Sequence, residues 1–153
     1  MITKEDIIYI AGLFDGEGCI FIQKHPPDVK RRMVNPHYQL TVTLSNTDIP
    51  VLEWIKTTFG GNFYLRKILF RKKEQGEWKL SDKKALSFLY LIRPYAKIKK
   101  EQVDIAITFQ ENRRPAGGNR ILSEFLLGLY EFCYLELRRM KHGIFQSVEE
   151  SET

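Results

Sequence analysis

Nine residues near the start of the chain, Ile10-Ala-Gly-Leu-Phe-Asp-Gly-Glu-Gly18, restrict the fold more than any other stretch. They close an apolar helical pattern. Thr3 stands where a cap is needed, Asp6 follows in a box-like position, and Ile7, Ile8, Ile10, Ala11 and Phe14 recur at helical spacing. Gly12 in mid-helix costs about 1 kcal/mol relative to Ala. With Ala11 it makes a small-residue face that another backbone can approach closely. Gly16 and Gly18 bracket Glu17, so a carboxylate sits on a glycine-shaped turn at the helix end. A carboxylate beside free carbonyl oxygens can bind a hard divalent cation. The competing reading is a plain helix stop with a solvent-facing Glu.

The segments that follow alternate between strand and helix patterns. Cys19–Gln23 and His37–Leu44 are predicted strands, separated by a long loop or hairpin tip with Pro26, Pro27 and the basic run Lys30-Arg-Arg32. The second strand alternates cleanly: Tyr38, Leu40, Val42 and Leu44 share one face, and His37, Gln39, Thr41 and Thr43 the other. Ser45–Asp48 is a turn, with Asp48 capping a helix over Pro50–Phe59 that Gly60-Gly61 ends. Strands are expected over Asn62–Arg71 and Glu77–Ser81, around a basic turn at Lys72–Gly76. Asp82 is expected to cap a helix to Arg93, and Pro94 to end it. Helices over Lys97–Gln110 and Asn119–Lys141 flank a Pro/Gly loop at Arg113–Gly118. The order αββαββ plus C-terminal helices predicts an α+β fold with one saddle-like antiparallel sheet. Helices cover one face of it, and the other is polar and basic.

Composition enters here. The chain has 153 residues, and a domain of that size buries roughly 70% of the surface its unfolded chain exposes. One domain is expected over residues 1–146, with 147–153 a frayed acidic tail. The 43% hydrophobic share excludes a wholly disordered chain. No apolar run approaches the ~18 residues of a membrane span, and Lys4, Glu5 and Asp6 argue against a secretory signal. Cys19 and Cys133 lack metal-ligand spacing and suit a reducing, intracellular setting. The net charge of +5 is unevenly distributed: segments 21–45, 61–80 and 93–100 are each strongly basic, and the remainder is net acidic. Such placement is the footprint of phosphate contacts, although charge alone is equally met by solvated surface lysines.

The nonapeptide resembles the signature of the LAGLIDADG homing endonucleases, with Ile10 for the first Leu, Phe14 for Ile, Gly16 for Ala and Glu17 for the second Asp. The αββαββ order, the Ser45–Asp48 turn and the lysine segment Pro94–Gln102 resemble the family in succession. The resemblance implies a divalent-metal-dependent, site-specific endonuclease that cuts double-stranded DNA, with Mg²⁺ or Mn²⁺ as cofactor. It implies Glu17 as metal ligand, the Gly16 carbonyl as a second, Asn46 as the group orienting the attacking water, and Lys99 near the scissile phosphate. Lys97 competes with Lys99 for that last role. It further implies that motif helices pair at a two-fold interface through Ala11, Gly12 and Asp15. Phe125–Glu131 echoes the motif but lacks the glycine pair, so it reads as core and interface packing, and one motif per chain then requires a homodimer.

Two-fold symmetry implies a pseudo-palindromic target. Phe21, Gln23, His25, His37, Gln39, Thr41, Thr43, Tyr64, Arg66, Ile68, Glu77 and Lys79 are the candidate readers on the polar face. Lys30, Arg31, Arg32, Arg71, Lys72, Lys73 and Lys97 are candidate phosphate contacts. The alternative is an RNA-splicing maturase or a non-cleaving DNA-binding protein on the same scaffold.

Overall fold

A computed structural model describes residues 1–67, 69–70, 72–114 and 122–149, with side chains as far as Lys141. Helix α1 spans Lys4–Glu17. It opens on a complete capping box: Thr3 Oγ1 accepts the Asp6 N–H at 3.1 Å, and Asp6 returns Oδ2 to the Thr3 N–H at 3.0 Å. Strands β1 (Gly18–His25) and β2 (His37–Asn46) form one antiparallel hairpin. Strands β3 (Asn62–Arg66) and β4 (Gln75–Ser81) form another. Antiparallel pairing of β2 with β4 merges them into a four-stranded sheet of order β1-β2-β4-β3. Helix α2 (Ile49–Phe59) joins the hairpins, and Asp48 Oδ1 accepts the Val51 N–H to cap it. Then come α3 (Asp82–Ile92), a 3-10 turn at Arg93–Tyr95, α4 (Lys100–Asn112) and α5 (Glu124–Glu149).

One face of the sheet is apolar and dry, as the alternation predicts. Ile20, Ile22, Tyr38, Leu40, Val42, Leu44, Trp78 and Leu80 are buried beneath Ile10 and Phe14 of α1, Leu52 and Ile55 of α2, Phe88 and Leu89 of α3, and Val103 and Phe109 of α4. Phe88 is the hub, meeting Phe14, Phe59 and Trp78 edge-on at centroid distances of 5.3, 5.8 and 5.0 Å. Such geometries add roughly 0.5–1.5 kcal/mol each beyond area burial. The buried Trp78 indole donates to the Gly60 carbonyl at 2.7 Å. Gly60 and Gly61 both take positive φ, and a Cβ on Gly61 would stand 2.6 Å from the Lys79 carbonyl, so the Gly-Gly stop is required sterically. Helix α5 packs along the edge strand β1, where Glu131 receives the Tyr38 hydroxyl and the Lys24 ammonium. In the motif-like stretch 125–131, Leu126 and Tyr130 are buried in the core, whereas Phe125 and Gly128 are exposed.

Several expected boundaries move. Strand β3 ends at Arg66, not Arg71, because the ladder with β4 finishes at the pair Arg66↔Gln75. Strand β4 begins correspondingly earlier. Ile68 and Arg71 lie outside the described residues, as do 115–121 and 150–153. Asp82 does not cap α3. Ser81 holds the cap position, and the Asp82 carboxylate turns to Gln39 and Arg113 instead. Helix α4 starts at Lys100 because residues 97–99 form a turn around Asp15. Helix α5 starts at Glu124, with Ser123 Oγ accepting the Leu126 N–H, and its backbone continues to Glu149, beyond the expected end at Lys141. Among the described residues no helix is long and apolar enough to cross a membrane.

Candidate functional site

The last turn of α1 gathers the polar groups of the nonapeptide. Asp15 is buried, and its carboxylate accepts three backbone N–H bonds: Lys97 at 3.1 Å and Ile98 at 2.9 Å on Oδ2, and Lys99 at 2.8 Å on Oδ1. Burial pushes its pKa up. The amides of Ile98, Lys99 and Lys97, with the Lys99 charge, more than offset this and leave it below its ordinary value. The same turn brings the Lys99 ammonium 2.6 Å from the Asp15 carbonyl oxygen. Lys97 lines an open cleft of about 440 Å³ with Lys100 and Arg139. Of the two competing lysines, Lys99 is the one seated beside the end of α1.

Glu17 is the exposed last residue of α1. Asn46, at the end of β2, donates Nδ2 to Glu17 Oε2 at 2.6 Å, while its own Oδ1 accepts the Asp48 N–H at 2.8 Å. The Asn46 amide is thereby fixed at both ends, and it fixes the carboxylate in turn. A helix C-terminus carries partial negative charge, and this one has no basic residue in its last turn. Carboxylate and carbonyl oxygens there fit a hard divalent cation. Among the described residues no group of three His, Cys, Asp or Glu side chains converges on a metal position.

The outward side of α1 differs from the expectation. Ala11 and Asp15 are buried within their own chain, where Ala11 packs in the core and Asp15 holds the 97–99 turn, so neither side chain is left to face a partner. Ile8, Gly12 and Gly16 are exposed, four residues apart, and open space lies where a Cβ on either glycine would stand. Gly18 is different: a Cβ there would fall 2.3 Å from the buried Phe14 ring.

The sheet face opposite the core carries the expected readers unevenly. His25, Tyr64 and Arg66 are exposed, and Phe21, Gln23, His37, Gln39, Glu77 and Lys79 are partly so. Thr41 and Thr43 are corrected: both are buried, because β2 is flanked by strands on both sides and Thr41 sits between Phe21 and Ser81. Phe21 lies on the edge strand, with the Lys141 ammonium 5.9 Å from its ring centroid. Glu77 is paired to Arg66 at 2.8 Å and accepts the Ser45 hydroxyl at 3.4 Å. Lys30, Arg31, Arg32, Lys72 and Lys73 are exposed on the two hairpin loops. Asp82 and Arg113 are the residues that sequence reasoning missed. They reach Gln39 and His37 across 43 and 76 positions, and no local pattern announces such a contact.

The profile of the LAGLIDADG endonuclease family matches residues 10–93, more than half of the chain. Among curated proteins none matches. The fold is shared with solved homing endonucleases. The I-CvuI homing endonuclease, in complex with its target in the presence of calcium, superposes with a TM-score of 0.60 at 16% identity, over 88% of this chain and 95% of that one. I-TnaI gives 0.58 at 18% identity, over 94% and 98%. The archaeal intron-encoded I-Vdi141I, complexed with DNA, gives 0.57 at 13%, over 86% and 98%. With the motif, the strand order and the profile in agreement, this chain belongs to the LAGLIDADG endonuclease family.

Proposed function

We propose that the chain is a homodimeric homing endonuclease that hydrolyses both strands of a pseudo-palindromic DNA target with Mg²⁺ or Mn²⁺. The observation that carries this reading is a single helix end that holds Glu17 on Asn46 and Lys99 on the Asp15 carbonyl, its outward face bearing Gly12 and Gly16. Two such helices crossing at Gly12 and Gly16 bring two Glu17 carboxylates to one place. Glu17 and the Gly16 carbonyl would hold the metal, and Asn46 keeps the Glu17 carboxylate aimed. A divalent ion there would polarise the phosphoryl group and lower the pKa of an attacking water. Lys99, held on the Asp15 carbonyl, supplies positive charge toward the phosphoryl oxygens as negative charge builds on them. The solved complexes of I-CvuI and I-Vdi141I with DNA support the partner class.

Selection from a randomised duplex library, with and without Mg²⁺, tests the reading. The parent should bind a near-symmetric site and cut it only with metal. Glu17→Gln should bind within a few fold while cutting falls by roughly 10²-fold or more, the scale seen when one electrostatic stabiliser is removed. Selective binding by the parent without metal-dependent cutting would assign the chain to the non-cleaving DNA binders. Selection of RNA alone would assign it to the maturases.

A further inference from the structure

Where β2, the start of α3 and the end of α4 meet, four polar side chains from three elements form one network. Gln39 of β2 donates Nε2 to Asp82 Oδ2 at 3.0 Å. The other oxygen of that carboxylate, Oδ1, accepts Nη1 of Arg113 at 2.6 Å, and the Arg113 side chain is only 11% exposed. Arg113 Nη2 lies 3.4 Å from both ring nitrogens of His37. That equality places the guanidinium against the ring, not in line with either nitrogen. His25 stacks on His37 at a centroid distance of 6.0 Å.

The fold does not by itself account for this arrangement. Asp82 adopts φ +53°, a left-handed conformation that costs a non-glycine residue on the order of 1–2 kcal/mol. It gives no cap to α3 in return; both its oxygens serve residues that border the polar face of the sheet. A bare carboxylate there would repel phosphates, and Arg113 removes that objection. The effect on Gln39 is directional. A free glutamine amide can rotate to offer either end to a base edge. A carboxylate only accepts, so Nε2 must face Asp82, leaving Oε1 and the second Nε2 hydrogen in a fixed order. One acceptor beside one donor suits the adenine edge. Guanine offers two acceptors in the major groove and is mismatched.

We propose that Asp82 and Arg113 are positioning residues for base recognition, locking Gln39 so that each protomer discriminates adenine from guanine at one position of its half-site. The inference rests on the nuclease reading above. Its test is the selected base profile. Asp82→Asn, whose amide lets Gln39 rotate, should lower the adenine-over-guanine preference roughly tenfold at one symmetry-related pair of positions and leave the other positions unchanged. Gln39→Ala should lose the preference at the same pair, and the double variant should lose no more than either alone. An unchanged profile, a loss spread over all positions, or additive losses would overturn the proposal. If Asp82→Asn fails to fold, Asp82→Gly, which suits the φ of +53° and also removes the carboxylate, carries the same test at the same pair. A parent chain that selects no duplex would overturn the nuclease reading and this inference together. A parent that selects a target while the variants select it identically would overturn this inference alone.

Discussion

Asp15 is the residue on which the local structure of the site turns. Its position within an Asp-Gly-Glu sequence marks it as acidic and near a helix end, but its three amide donors come from more than 80 residues away. No spacing rule connects Asp15 to the 97–99 turn; only the packing of α1 beside that segment does. Hydrogen bonds to a charged acceptor contribute about 1.5–3 kcal/mol each, so Asp15→Asn should destabilise the chain by about that amount or more at pH 7. The sign with pH follows from the lowered folded pKa. The carboxylate stabilises the fold above its unfolded value, near 3.8, and this is lost as the pH falls through the lower folded value. Urea unfolding of parent and Asp15→Asn should therefore differ clearly at pH 7 and converge below about pH 4.

At the scale of elements, α1 has two small-residue sides with different employment. The sequence marks Ala11 and Gly12 alike as sites of close approach. Burial separates them: Ala11 packs inward, and Gly12 faces out with Ile8 and Gly16. A side chain at position 12 should therefore affect association and intrachain stability in opposite directions. Gly12→Gln removes a mid-helix glycine and should raise the stability of the isolated chain by up to about 1 kcal/mol. Sedimentation equilibrium should show the proposed dimer dissociating at least roughly tenfold more readily, since the added side chain fills the space needed by a crossing helix. Loss of chain stability in that variant would mean that the outward glycine face is not free. Element types and order were legible from alternation and glycine stops. The ends of β3, α4 and α5 were not, because strand ends follow ladder partners and helix starts follow distant acceptors.

For the whole molecule, the unevenness of charge matters more than its sum. Lys30, Arg31, Arg32, Lys72 and Lys73 stand exposed on loops at the ends of two hairpins in one sheet. Each neutralised phosphate adds about 0.9 to the slope of log affinity against log salt on duplex DNA. Replacing Lys72 and Lys73 together by Ala should make that slope shallower by about 0.9 for every phosphate that the protein no longer neutralises. Base preferences should stay as they were. A titration of affinity between low and moderate salt checks this, and a changed base profile would show that these lysines read sequence.

The family was legible through the resemblance of the nonapeptide and the segments after it, whereas local chemistry was enough, from the sequence by itself, to determine the element types, the dry face of the sheet and the glycine-bracketed Glu17. Each of these depends on residues a few positions apart: a period of two, a period of 3.6, a cap, a stop. Tertiary structure alone decided which lysine joins the motif, which threonines are sealed within the sheet, which glycines face outward and what holds Gln39. Those outcomes depend on pairings across tens of residues. A carboxylate near the N-terminus cannot announce which distant amides will fill it, nor an alternating strand which of its polar residues will have neighbours on both sides.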